Sequence, residues 1–98
     1  MFVKIIKSYR IIVAVCDSEL LGKKFEEGKF QLHIKEDFYK GEKFSEEKVV
    51  ETIKTMVDED ATFNIVGKRA VNAALKAGVI SRDLIGEIQG IPFALVLR

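Results

Sequence analysis

ATFNIVGKRAVNAALKAG, residues 61–78, is the stretch whose division into strand and helix decides the fold. Its second half is helical. Small and apolar residues recur there at three-to-four spacing, and Gly78 stops the helix with Val79 and Ile80 closing over its end. The first half admits two divisions. Asn64 can cap a helix running to Ala77, or residues 62–66 can form a strand with the helix opening at Gly67. Val66, Ala70, Ala73 and Ala77 form one apolar stripe at helical period, so the Asn64 cap is preferred.

Upstream, Ser45 is a good N-cap, and Glu46 and Glu47 suit the positive end of a helix dipole. Val49, Val50, Ile53, Met56 and Val57 follow at helical spacing, which predicts a helix over residues 46–58. Two β-branched runs, residues 2–6 and 11–15, flank the turn Lys7-Ser8-Tyr9-Arg10 and read as a hairpin. The second run is apolar throughout and predicts a central strand buried on both faces. Asp17 is placed to cap a short helical piece over residues 18–24, which Gly22 limits. Residues 29–35 alternate, with Phe30, Leu32 and Ile34 on one face and Gln31, His33 and Lys35 on the other, as in a half-exposed strand. Residues 84–88 and 91–97 close the chain as two strands turned at Gln89-Gly90. Pro92 has no N–H and marks an edge or a strand start. The whole is a single compact α+β domain over residues 1–98. It has about five mostly antiparallel strands and two main helices packed on one side.

The composition narrows the functions. With 98 residues, 48% hydrophobic and 32% charged, the chain is long enough for one packed domain and too apolar for intrinsic disorder. A net charge of +1 argues against a globally basic nucleic-acid coat protein. The single cysteine, Cys16, excludes an internal disulfide and any multi-cysteine metal site, and it suits a reducing, cytoplasmic home. Lys4 and Lys7 interrupt the apolar N-terminal stretch, so it does not read as a secretory signal. The longest apolar run, residues 11–16, falls far short of a membrane span, so no membrane partner is expected. Twelve lysines and ten glutamates against four Asn plus Gln give a thermophile-like usage.

Few residues carry chemistry. Cys16 sits where a strand meets a helix start, a place that lowers a thiol pKa, but the natural reading is a small buried hydrophobe. A thiol enzyme using it would need a base, and His33 is the one histidine. That histidine lacks the spacing of a metal site and reads as solvated. Asp58-Glu59-Asp60 lacks the alternation and glycine of a calcium loop. The glycines form neither a phosphate loop nor a dinucleotide fingerprint. Neither a metal nor another cofactor is implied, and no catalytic residue is assigned.

The charge that matters is local. Residues 45–60 carry six acids and two cations, and residues 61–82 carry four cations and no acid. Lys68, Arg69, Asn72 and Lys76 share one helical arc. With Asn64 and Gly67 at the helix start, they form a candidate anion site, where free N–H groups and cations converge on phosphate. Lys4, Lys7 and Arg10 of the hairpin are secondary candidates. So are Phe38, Tyr39 and Lys40, as an aromatic-plus-lysine turn able to stack on single-stranded nucleic acid. The alternative for that turn is an aromatic plug at the open end of the sheet.

Four motifs occur in order: CDSELLG at residues 16–22, FYKG at 38–41, NIVG at 64–67 followed by RAV at 69–71, and GIP at 90–92. Together they resemble a family of small, uncharacterised archaeal proteins catalogued as domain of unknown function 424. The resemblance implies an archaeal, cytosolic protein in the company of translation and RNA-handling genes, and it transfers no catalytic residue. Where that family pattern continues with His and then Ala-Gln, this chain has Phe93, Ala94 and Leu95. No polar or metal-binding role therefore carries over to that place. The expected function is a small binding protein contacting RNA or a ribonucleoprotein through the basic helix face. The alternative is a protein-interaction subunit, or a homodimer, using the acidic helix or the strand at residues 93–97 as an exposed edge. A thiol enzyme is the remote third reading.

Overall fold

The computed structural model describes residues 1–97. In chain order the elements are β1 (Phe2–Lys7), β2 (Ile11–Cys16), β3 (Lys24–Glu27), β4 (Phe30–His33), α1 (Glu36–Tyr39), β5 (Glu42–Lys43), α2 (Glu46–Asp58), β6 (Thr62–Val66), α3 (Lys68–Ala77), β7 (Gly86–Ile88) and β8 (Ile91–Val96). Single 3-10 turns lie at Ser18–Leu20 and Arg82–Leu84. The main sheet has six strands, one more than expected, in the order β5-β1-β2-β6-β8-β7. Every junction is antiparallel except β2–β6. The strand expected over residues 29–35 is β4, and it pairs with β3 in a separate two-stranded ribbon.

Residues 62–66 are a strand, so the Asn64 cap is overturned. The competing forces explain why. As β6 the segment pairs with β2 on one side and β8 on the other, with Ala14, Asn64 and Leu95 in one cross-strand row. Two ladders satisfy its N–H and C=O groups, which outweighs a four-residue stripe. Phe63 and Ile65 become fully buried beneath the helices, and Val66 turns to the opposite face of the sheet. The helix opens instead at Gly67. At its other end Gly78 is left-handed, and the N–H groups of Gly78 and Val79 donate to Leu75 and Ala74 in a Schellman arrangement.

Two cores result from the period-two alternation of the central strands. Val13 and Val15 of β2 face α2 and α3, where Val49, Ile53, Ala70, Val71, Ala73 and Ala74 meet them. Ala14 and Cys16 face the other way, onto Leu20, Ile34 and Tyr39, with Phe25, Leu32 and Phe38 packed around them. The ribbon and α1 therefore cover part of the second face. Gln89 holds the ribbon down, donating from its backbone N–H to Glu27 Oε1 at 2.8 Å and from its side chain to the Glu26 carbonyl.

Helix α2 is the element the sequence places best, because its signals are local. The Ser45 hydroxyl accepts the Lys48 N–H at 3.3 Å. Ser45→Ala is expected to lower stability by about 1 kcal/mol, the usual worth of an N-cap. For a domain of this size that corresponds to roughly 4–8 °C in Tm, read by thermal denaturation.

Candidate basic cleft at the carboxyl ends of the parallel strands

Strands β2 and β6 run parallel with Cys16 opposite Val66, so Asp17 and Gly67 leave the sheet side by side. The Asp17 N–H donates to the Val66 carbonyl at 3.1 Å, and the Gly67 N–H donates to the Pro92 carbonyl at 2.8 Å. The Asp17 side chain, 4% exposed, then turns under the start of α3. Its Oδ1 accepts the Ala70 N–H at 2.8 Å and its Oδ2 the Arg69 N–H at 3.1 Å. The expected local cap is thus corrected: Asp17 makes no side-chain bond to the turn that follows it. It caps a helix more than fifty residues further along the chain.

Gly67 leaves room for this. Its φ of 109° suits only glycine, and a Cβ there would lie 2.3 Å from Asp17 Cγ. A glycine N-cap has no side chain to satisfy the first amides of α3, and the carboxylate of the residue directly after β2 takes that role. This linkage was missed in the sequence. Its only trace is a helix opening on glycine together with an acid directly after an all-apolar strand.

The anion place at the start of α3 is therefore filled by Asp17, which takes two of the first amides. Above it, Lys68 and Arg69 are exposed. Cations in a helix's first turn are opposed by the dipole, and the carboxylate beneath offsets that repulsion. Both side chains line an open cleft of about 310 Å³ with Asp17, Glu19, Leu20 and Ile91. Among the described residues, neither forms an ion pair. Asn72 is exposed on the same helix, whereas Lys76 is ion-paired with Glu46 at the start of α2.

The other candidates do not join this cleft. Asn64 is half-buried on the sheet face away from α3. Lys4 donates to the Asp37 carbonyl at 2.5 Å. Lys7 and Arg10 lie at the opposite end of β2, about 17 Å away at the usual strand rise. There Arg10 and Tyr9 share a cleft with Glu59 and Asp60. Lys40 is exposed, but Tyr39 is buried and Phe38 half-buried, packed edge to face at 5.1 Å. The aromatic turn is a plug on the second core and not an open stacking platform. His33 is exposed on β4. Among the described residues the exposed aromatics are Tyr9, in the hairpin turn, and Phe30, 71% exposed at the end of the ribbon, where alternation predicts a buried face.

Cys16 is fully buried, and that burial, with Asp17 beside it, pushes its thiol up to about 11. Tyr39 is pushed up to about 12, mainly by burial and secondarily by Cys16. Among the described residues, no group of three or more His, Cys, Asp or Glu is placed to hold a metal ion. Among the described residues no helix is long and apolar enough to cross a membrane.

Residues 6–98 match the family model described as "Protein of unknown function (DUF424)", and the chain belongs to that family. It is similar to the solved structure of an uncharacterized conserved protein from Methanopyrus kandleri. Sequence identity is 27%, the TM-score is 0.86, and the match covers 99% of this chain and 92% of that one. No curated protein matches the chain.

Asp17→Ala is expected to destabilise the fold by about 3 kcal/mol, since two amides are orphaned at roughly 1–3 kcal/mol each. Asp17→Asn should fall between it and wild type in urea unfolding, and Gly67→Ala should lose at least as much as Asp17→Ala. Iodoacetamide should leave the folded thiol unmodified at neutral pH and label it on unfolding. Because the folded thiol's pKa lies above its ordinary 9.0, stability should hold below pH 9 and decline between pH 9 and about 11. Rapid labelling of native protein at pH 7 would contradict this burial.

Proposed function

We propose that this member of the family is a binding protein that contacts RNA, free or within a ribonucleoprotein, through the Lys68–Arg69 lip of the cleft, with Asn72 as a neighbouring polar contact. One observation carries the reading. Among the described residues, two adjacent cations stand exposed without ion-pair partners, on a helix start where Asp17 already takes the Arg69 and Ala70 amides. Such a pair is free to neutralise an external phosphate, and arginine can do so with two parallel hydrogen bonds. The acid-free sequence of residues 61–82 keeps competing carboxylates off α3 itself. A translation-associated role in the cytoplasm is the setting that fits this reading.

Phosphate contacts release counterions, so affinity for RNA should fall linearly with salt on logarithmic axes. Lys68→Ala/Arg69→Ala should reduce that slope by about 1.4 on single strands, two contacts at roughly 0.7 each. Lys76→Ala should leave the slope nearly unchanged, because that cation already pairs with Glu46. Absence of binding at low salt, or an unaltered slope in the double variant, would refute the proposal.

A protein-interaction role has support of its own in α2. Glu46, Glu47 and Glu51 line an open groove with Ser45, Val50 and Lys76, a surface suited to a basic protein segment. A co-purifying protein that survives ribonuclease and is lost in Glu47→Lys/Glu51→Lys would favour it.

A further inference from the structure

Strand β8 is an edge for half its length, and of the expected edge over residues 93–97 only Phe93 is covered. Strand β7 covers Ile91, Pro92 and Phe93, pairing as far as Gly86 opposite Phe93. Beyond that point the chain before β7 leaves the ladder in the Arg82–Leu84 turn. The bond from the Gly67 N–H to the Pro92 carbonyl sets the parity of the β6–β8 ladder. Pro92, Ala94 and Val96 direct their peptide groups toward β6, and Phe93, Leu95 and Leu97 direct theirs away from it. Among the described residues, no strand pairs with Leu95 on that outer side.

The side chains at this corner are as open as the backbone. Leu95 is 54% exposed, Leu97 74% and Leu84 59%, three of the six exposed large hydrophobics among the described residues. In a chain that is 32% charged, residues 88–97 carry no charge. Among the described residues the usual protections of a free edge are missing here: residues 94–97 include no lysine, and the one proline points its N–H-less side at β6.

We propose that two copies of this chain pair antiparallel through the outer edge of β8, Leu95 against Leu97 of the second copy. This proposal is independent of the RNA reading. A two-fold interface requires that residue i meet j while j meets i, and this register does so about an axis at Val96. Four N–H···O=C bonds form, two from each copy. Directly opposed residues share a face, so four leucines cluster toward Thr62 and Ile12, a cross-strand pair one step beyond the row of Phe63 and Val96. The uncharged stretch of residues 88–97 favours its own copy as occupant, because a second copy offers an equal neutral apolar surface.

Sedimentation velocity over a dilution series tests this. Wild type should sediment at the mass of two chains and dissociate on dilution. Leu95→Lys, a change at an exposed position, should give the mass of one chain with an unchanged far-UV circular dichroism spectrum. Phe30→Lys, at an exposed apolar residue on the ribbon, should remain a dimer. A wild type that stays at one-chain mass at the highest concentration, or a Leu95→Lys variant that still dimerises, would overturn the proposal. RNA binding by wild type is scored separately through Lys68 and Arg69, so either reading can fail alone.

Discussion

The bidentate bond from Asp17 to the first amides of α3 is the constraint on which the rest of the molecule depends. It exists because β2 and β6 are parallel neighbours with Cys16 level with Val66. That register delivers a carboxylate and a glycine to the same point. Gly67 accepts a conformation closed to other residues and leaves the space that the carboxylate fills. The pair therefore joins the central strand, the parallel junction and the second main helix in one contact. A buried carboxylate is tolerated there because each oxygen accepts an N–H from a positive helix end. The same contact shapes the surface above it. With Asp17 beneath the helix start, Lys68 and Arg69 face solvent without an ion pair among the described residues.

The two faces of the sheet meet different fates. One is covered by α2 and α3, and the other only in part, by a two-stranded ribbon and a single turn of helix. The covered part of that second face holds Cys16 and Tyr39, whose burial makes each harder to ionise. A nucleophilic thiol is thereby disfavoured by the same packing that makes the second core. At the uncovered end the sheet presents Leu95 and Leu97 beside an unpaired stretch of β8. The molecule thus offers a charged lip at the carboxyl ends of its parallel strands and an apolar corner at the far end of β8. These surfaces differ in chemistry and in the partners they suit.

Legibility followed the range of the interactions. Ser45, the acids after it and the apolar stripe of α2 act within four residues, so the helix could be read in place. So could the β1–β2 hairpin, whose turn lies between its strands, and the Gly78 stop, whose bonds return three to five residues. The basic arc of α3 was read as a set, but Lys76 proved tied to Glu46, a partner thirty residues earlier in the chain. Asn64 and the helix start were misread because the stripe through Val66 competes with a strand whose partners are distant in sequence. Phe30 alternated correctly with Leu32, yet the register places it opposite Glu27, at the ribbon's end where the ribbon no longer covers a core.

The sequence by itself determined an α+β domain, its hairpin, its two main helices and the concentration of cations after residue 60. Those properties depend on periodicity, caps and composition, all of which act over a few residues. Only the tertiary structure decided that Asp17 serves α3 and not its own turn, that Phe38 and Tyr39 close a core, and that β8 is open along half its length. Each of those outcomes is a pairing between segments far apart in the chain. Such a pairing leaves no local period to read, because its energy comes from groups that meet only when the sheet is assembled.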